Sequence, residues 1–305
     1  MGILKADGTG RRLDGSLADA NRPFDGTVGD EEIREALHGA IDKFFDRIAG
    51  TDKRRGEEAA LDGAENGADA VRIQTLPDMM RALRQVDDLA WGRYILSTDM
   101  LRDKIEPGMG DTMIAGAISC GREWSDRVVE QYGTNKPSAI AERLGVAVGS
   151  NTAPMSGRRA LFAQYVPGGS DSSAQADRID LMADPLNRYA ELYDRLVVED
   201  AGNAGVLPSP ARVRTLLLAH ELFHVIEDRN ESTIYTRTTT ISLWKVFGKE
   251  NRSTVRALGE VGAGAFAQTL VGSSFCPFAL DIVLMWSYDP ATSRALYDAV
   301  VRRQE

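Results

Sequence analysis

The chain has 305 residues, of which 43% are hydrophobic and 27% charged, and it carries a formal net charge of -9. This is the composition of an ordinary globular protein, and the length predicts two domains or one domain with a substantial helical extension. The acidic balance argues against a nucleic-acid partner, because nucleic-acid-binding proteins normally present a basic face. The two cysteines, Cys120 and Cys276, lie far apart, which excludes a disulfide scaffold and a thiolate-rich metal cluster.

The beginning of the chain lacks the apolar segment of a secretory signal peptide. The best candidate for a membrane span, residues 278–286, is too short and is interrupted by Asp281. These features predict a cytoplasmic protein with no membrane partner, while secretion as an effector stays open. They do not indicate an oligomeric state.

The first part of the chain is predicted to be a loose leader followed by helices. Residues 1–30 are rich in Asp, Gly and Arg and show little periodicity, which is typical of a leader without a fixed fold. Apolar residues then recur at helical spacing over 31–48, and again beyond a charged, Gly- and Ala-rich linker near 52–70. A Pro and two Gly residues at 107–110 interrupt the second helical stretch. The sequence thus predicts a helical N-terminal region over 31–136.

Beyond residue 136 the pattern becomes a mixture of helices and short strands. Strands are predicted at 146–148, 161–166 and 178–182, and the Thr-rich stretch 233–240 is predicted to be a strand or an extended loop. Helices are predicted at 138–144, at 189–198, from the prolines at 208 and 210 to about 228, at 254–271 and from 278 onward. The fold class indicated is α+β and mostly helical, with a part spanning 137–305 that contains a small sheet.

The strongest chemical signal is an HExxH sequence formed by His220, Glu221 and His224 on a predicted helix. Positions i and i+4 share one helix face, so both imidazoles can bind a single metal ion. Glu221 flanks that face and can reach a metal-bound water without binding the metal itself. The helix is apolar and begins at prolines, which places the motif beside the core. A pair of hydrogen-bonded core histidines and a non-catalytic zinc site are the alternatives.

A catalytic zinc site needs three protein ligands and one open position. The metzincin extension would place Gly at 227 and His at 230, whereas this chain has Glu227 and Asn230. The chain contains only three histidines, and the remaining one, His38, lies far upstream in another predicted helix. The third ligand is therefore expected to be a carboxylate, as in the thermolysin-like pattern.

Glu260 is the best candidate for that carboxylate. Its helix face continues through the small residues Ala263, Gly264 and Ala267, which let its helix lie close to the HExxH helix. A short Glu side chain can then reach a metal ion at about 2.0–2.2 Å. Glu227 is the rival, but it sits a turn or more beyond the histidine pair, a position that better suits a hydrogen-bond acceptor for a ligand.

The segment 137–272 resembles the ImmA/IrrE type of zinc metallopeptidase domain. The likeness lies in the helix and strand at 140–148, the short strands that follow, the HExxH helix and the Glu-x-x-Ala-Gly-x-Phe-Ala sequence that begins at Glu260. The family usually has Gly where this chain has Phe223, which is expected to reshape the cleft. It usually has Asn where this chain has Gly264, which is expected to alter substrate specificity.

The resemblance implies a zincin-like catalytic domain over 137–305. It implies a metalloendopeptidase that hydrolyses peptide bonds of a protein or peptide substrate with one Zn²⁺ per chain. It implies that His220, His224 and Glu260 are the zinc ligands. It also implies that Glu221 is the general base, which takes a proton from the metal-activated water.

Two further parts of a peptidase site are expected from the sequence. A donor is needed for the developing oxyanion, and Tyr235, Arg237 and Tyr288 are candidates, of which Tyr235 is taken as the catalytic residue. An edge strand is needed to align the substrate, and either 161–166 or 178–182 is predicted to supply it.

Two other functions fit isolated parts of the sequence. Glu35 with His38 and Glu221 with His224 form two ExxH pairs, the spacing found in ferritin-like di-iron bundles, but that function leaves His220 without a role. Residues 140–159 resemble the start of a helix-turn-helix binding module, although a Gly and a Pro fall in or near its recognition helix. Metal content and salt-dependent DNA binding would distinguish these functions from a zinc hydrolase.

Overall fold

Ten α-helices and two small β-sheets make up the part of the chain described by a computed structural model, residues 75–153, 161–168, 176–246 and 249–302. The helices are α1 Leu76–Leu83, α2 Asp88–Leu96, α3 Met109–Tyr132, α4 Pro137–Arg143, α5 Ala183–Glu199, α6 Pro210–Arg229, α7 Tyr235–Thr238, α8 Ala257–Val271, α9 Ala279–Trp286 and α10 Pro290–Val301. The strands are β1 Ala147–Asn151, β2 Ala163–Val166, β3 Arg178–Met182, β4 Thr240–Val246 and β5 Lys249–Thr254. The predicted α+β class, mostly helical with a small sheet, is confirmed. None of the described helices is long and apolar enough to cross a membrane.

Several predictions fall on residues that the structure does not describe. These are the leader at 1–30, the helix at 31–48 and the linker near 52–70. Glu35 and His38, on which the di-iron alternative depends, also lie outside the described residues.

The larger sheet has the strand order β1-β3-β2, so β3 is central and β2 lies at an edge. β3 runs parallel to β1 and antiparallel to β2. The Met182 amide donates a 3.0 Å hydrogen bond to the Phe162 carbonyl, just before β2 begins. Hydrogen-bonded and non-hydrogen-bonded pairs alternate along antiparallel strands. The backbone N–H and C=O groups of Gln164 therefore also point towards β3, whereas those of Tyr165 point away from it.

Helix α6 begins and ends at side-chain caps. The Ser209 hydroxyl accepts a 3.3 Å hydrogen bond from the Arg212 amide, and Pro210 occupies the first turn, where it is well tolerated. At the other end the Asn230 side chain donates a 2.7 Å hydrogen bond to the Ile226 carbonyl. The buried residues of α6 include Val213, Leu216, Leu218, Ala219, Leu222, Phe223, Val225 and Ile226. This burial fixes the helix, and with it the HExxH motif at its middle.

Helix α8 packs against both α3 and α6, and glycines let the helices approach closely. A Cβ atom on Gly121 of α3 would lie 2.2 Å from the Gly262 carbonyl oxygen and 2.9 Å from the Phe266 nitrogen, so the two backbones are in contact. Towards α6, a Cβ atom on Gly259 would lie 2.8 Å from Glu227 Oε1. The small residues of α8 therefore set its distance from both neighbours.

The helices before and after residue 137 share a hydrophobic core. The Trp91 ring of α2 lies 6.3 Å from the ring of Phe278, just before α9. The Ala257 amide at the start of α8 donates a 2.9 Å hydrogen bond to the Asp99 carboxylate. The predicted boundary at 136/137 stays a prediction, but the described helices on its two sides pack together.

Two predicted elements are wrong in detail. Residues 233–240 are neither a strand nor an extended loop, since α7 occupies Tyr235–Thr238 and β4 starts only at Thr240. The buried Thr236 hydroxyl donates a 2.6 Å hydrogen bond to Glu227, a tertiary contact that overrides the β-propensity of the Thr-rich stretch. The C-terminal helix is divided, because Asp289 caps a new helix whose first residue is Pro290. The sequence also did not indicate the β4-β5 hairpin.

Candidate metal centre

Helices α6 and α8 bring together the three side chains that the sequence proposes as metal ligands. His220 Nε2 lies 3.1 Å from Glu260 Oε2 and 3.3 Å from His224 Nε2. His224 Nε2 lies 3.6 Å from Glu260 Oε1. Each residue thus offers one ligand atom, all within 4.8 Å of one another.

These distances fit a tetrahedral zinc site. Ligand atoms about 2.0–2.1 Å from a tetrahedral Zn²⁺ lie about 3.3–3.4 Å from each other, close to the spacing of this triad. The side chains of His220, His224 and Glu260 are 16%, 19% and 34% exposed, so the cluster is enclosed but accessible to solvent. Two imidazoles and a carboxylate are also the donor set that Zn²⁺ accepts in hydrolases.

Glu227 lies behind His224 and is not a member of the triad. Its side chain is only 4% exposed, and its Oε2 lies 3.4 Å from His224 Nδ1. Thr236 Oγ1 donates to its Oε1, and Arg237 Nε lies 3.3 Å from its Oε2. When the His224 imidazole is neutral and its Nδ1–H donates to Glu227, the lone pair of Nε2 points towards the triad. Of the two carboxylates considered from the sequence, Glu260 therefore lies in the triad with the two imidazoles, and Glu227 lies behind His224.

The surrounding carboxylates change the pKa of His224. Burial alone would lower it, but Glu260, Glu227 and Glu221 outweigh burial and raise the pKa to about 9. Burial likewise opposes ionisation of Glu227, but His224 and Arg237 lower the pKa of that carboxyl below its ordinary value. In the metal-free protein at neutral pH, His224 is therefore protonated and Glu227 is ionised.

Glu221 follows His220 and is held by the edge strand of the sheet. Its Oε2 accepts a 2.7 Å hydrogen bond from the backbone amide of Tyr165 in β2. The phenol of Tyr165 donates a 3.1 Å hydrogen bond to Asp228, further along α6. Burial, reinforced by the charge of Asp228, raises the pKa of the phenol above its usual range and keeps it protonated. Sequence reasoning placed a strand here but did not single out Tyr165, because a backbone donor leaves no signal in residue type.

Asp281 is an acidic residue near the triad that the sequence did not indicate as a site residue. Burial raises its pKa to about 7, with His220 opposing the shift and Glu260 adding to it. Its signal in the sequence is an acidic residue inside an otherwise apolar helix, which also counts against a membrane span.

Two aromatic residues, Phe278 and Phe223, pack close to the triad. The Phe278 ring lies 6.0 Å from the His220 ring, edge to face. A Cβ atom on Gly264 would be 2.8 Å from the Phe278 ring, so this packing leaves no space there for an Asn side chain. Phe223 is fully buried and packs on Phe266 with ring centroids 5.5 Å apart. Phe223 is thus a core residue, and its expected effect on the cleft stays a prediction.

The candidate oxyanion donors lie in different surroundings. The Tyr235 ring packs on α3, where a Cβ atom on Gly116 would be 2.4 Å from the phenol oxygen. Arg237 pairs with Glu227, and the Tyr288 hydroxyl donates a 2.6 Å hydrogen bond to Asp184. Arg237 and Tyr288 are thus each engaged by a carboxylate outside the triad. The catalytic role of Tyr235 stays a prediction.

The chain matches no protein family, no curated protein and no solved structure. Its function therefore has to be argued from the geometry of this site.

Proposed function

We propose that the chain is a zinc-dependent metallopeptidase that hydrolyses peptide bonds of a protein substrate. The single observation that carries this proposal is the spacing of His220, His224 and Glu260, which matches the ligand spacing of a tetrahedral zinc site, with Glu221 directly beside it. The resemblance of residues 137–272 to the ImmA/IrrE type of peptidase domain supports the same assignment.

His220 and His224 on α6 and Glu260 on α8 would hold one Zn²⁺ per chain. When bound there, the ion polarises the scissile carbonyl and lowers the pKa of a water molecule to about 7. Glu221 accepts a proton as the water oxygen attacks the carbonyl carbon. It then delivers this proton to the amine nitrogen as the C–N bond breaks. Glu227 keeps His224 in the tautomer whose Nε2 faces the site.

The edge of β2 is the proposed alignment surface for the substrate. Of the two strands considered from the sequence, β3 has neighbours on both sides and β2 does not in the described sheet. The outward-facing backbone of β2 lies next to Glu221, as the Tyr165 contact shows. A substrate strand would pair with outward-facing backbone groups of β2 other than the Tyr165 amide, which stays bonded to Glu221, and its backbone would then lie beside the general base.

The test compares metal content and peptide cleavage in matched variants. Wild type is expected to bind one zinc ion per chain and to cleave a mixture of quenched fluorescent peptides. Glu221→Gln should keep the zinc and lose at least about 10²-fold in activity, the contribution of a general base. Glu260→Ala should lose the zinc, as measured by mass spectrometry of the purified protein. Glu231→Gln, an exposed change just beyond α6, should alter neither quantity.

Two outcomes would contradict parts of this proposal. A Glu260→Ala protein that holds zinc at wild-type stoichiometry would exclude Glu260 as a ligand. A zinc-loaded wild type with no more cleavage than Glu221→Gln would favour a non-catalytic metal site. Comparing the proteomes of cells with wild type and with Glu221→Gln would then identify the substrate of an active enzyme.

A further inference from the structure

The contact between β2 and α6 places the general base under the control of a backbone donor. Tyr165 contacts α6 at two points: its amide bonds Glu221 at 2.7 Å, and its phenol bonds Asp228 at 3.1 Å. Glu221 and Asp228 are seven residues apart, so they lie on one face of the helix, two turns from each other. One strand residue thus spans the stretch of α6 that carries His224.

The direction of the Tyr165 amide follows from the pairing of β2 with β3. The bond between Met182 and Phe162 fixes which residues of β2 face the ladder, and Tyr165 is not among them. Its amide therefore points away from β3 and donates to Glu221. Tyr165 is also 5% exposed, so water has little access to compete for this donor.

We propose that the backbone amide of Tyr165 is a positioning group for Glu221, an inference that rests on the proposed function. By holding Oε2 at the edge of β2, the amide leaves Oε1 as the oxygen that takes up and returns the proton. The phenol contact with Asp228 keeps the amide at the height of Glu221 along the helix. The carboxylate thus has one preferred orientation before substrate arrives, and misplacement of a reacting group by about 1 Å can cost about 10²-fold in rate.

Amide hydrogen exchange in the metal-free protein tests the contact without requiring activity. Tyr165 should exchange about tenfold faster in Glu221→Ala than in wild type, the factor expected for the loss of one hydrogen bond. Gln164, whose amide faces β3, is the internal control and should keep its rate. An unchanged rate at Tyr165 would overturn the inference.

Steady-state kinetics test the positioning role itself. Tyr165→Pro removes the side chain and the amide N–H, and an edge position tolerates a proline that faces away from the ladder. Tyr165→Ala removes the same side chain and keeps the N–H. With the best peptide of the mixture, kcat of Tyr165→Pro should be about 10- to 100-fold below that of Tyr165→Ala, with KM and zinc content alike in both.

The two proposals fail in different ways. Equal kcat values in the Pro and Ala variants, with intact cleavage by the wild type, would overturn the positioning role alone. A wild type that binds zinc and cleaves nothing would overturn the proposed function and, with it, the positioning of a base. If Tyr165→Pro does not fold, the exchange rate at Tyr165 in Glu221→Ala decides the inference.

Discussion

The affinity of the site for Zn²⁺ should depend on pH well above the range of an ordinary histidine. Zinc binds the neutral imidazole, so it competes with the proton that His224 holds up to a pKa of about 9. At pH 7 about one His224 side chain in a hundred is neutral, which weakens the apparent affinity about 100-fold, or about 2.7 kcal/mol. An unperturbed histidine, with a pKa of about 6.5, is mostly neutral at pH 7 and would weaken the apparent zinc affinity only slightly.

Competition with a fluorescent zinc chelator between pH 7 and 8.5 measures this effect. The apparent affinity should rise about tenfold per pH unit over the whole range, since one proton leaves for each ion bound. Glu227→Gln removes one of the carboxylates that raise the pKa of His224 and should move the pH-dependent range downward. An affinity that is constant from pH 7 to 8.5 would refute the proposed protonation of His224 in the metal-free site.

Three further substitutions test the surroundings of the site. Gly121→Ala places a Cβ atom 2.2 Å from a backbone oxygen of α8 and should cost about 1–3 kcal/mol of stability, which lowers the Tm by about 3–10 °C. Gly205→Ala, with open space around it, should leave the Tm nearly unchanged. The pKa of Asp281 is raised from 3.8 to about 7, so ionisation of this carboxyl destabilises the metal-free fold as pH rises from about 4 to 7. Asp281→Asn should therefore raise the free energy of unfolding at pH 8 by at most about 4 kcal/mol, seen as a higher Tm, and should give no gain at pH 4. An equal gain at both pH values would contradict this. Thr236→Val removes the 2.6 Å hydrogen bond to Glu227 and should lower the free energy of unfolding in urea by about 1 kcal/mol or more. It should also weaken zinc binding. Unchanged zinc affinity would show that Glu227 does not need this hydrogen bond.

The parts of the fold that could be predicted are those determined by local pattern. Strand β3 lies at the predicted residues, and α6 begins at the prolines and extends one residue beyond the predicted end. Both elements carry apolar residues at the period of their structure, flanked by loop residues or helix-initiating prolines. The histidine pair could be assigned to one helix face for the same reason.

The pairing of Glu260 with that face needed a different kind of reasoning. The scarcity of histidine required a carboxylate, and the small residues of α8 indicated a helix that could approach closely. The distance of 3.1 Å between His220 and Glu260 agrees with this reasoning. What local pattern could not supply are contacts that depend on the tertiary fold. The Tyr165 amide, the burial of Asp281 and the helical turn at Thr236 all arise from neighbours distant in sequence.

The contact between Gly121 and Gly262 also limits how this protein can change over evolutionary time. Their helices touch backbone to backbone, so a larger residue at Gly121 must push α8 away from α3 and carry Glu260 with it, whereas a Cβ atom on Gly262 would meet the ring of Phe223 in α6. A lineage could tolerate such a change only if α6 followed the same displacement. We therefore expect a replacement of Gly121 to be accompanied by compensating changes in α6 or α8, even though these helices belong to parts of the chain that look unrelated in sequence.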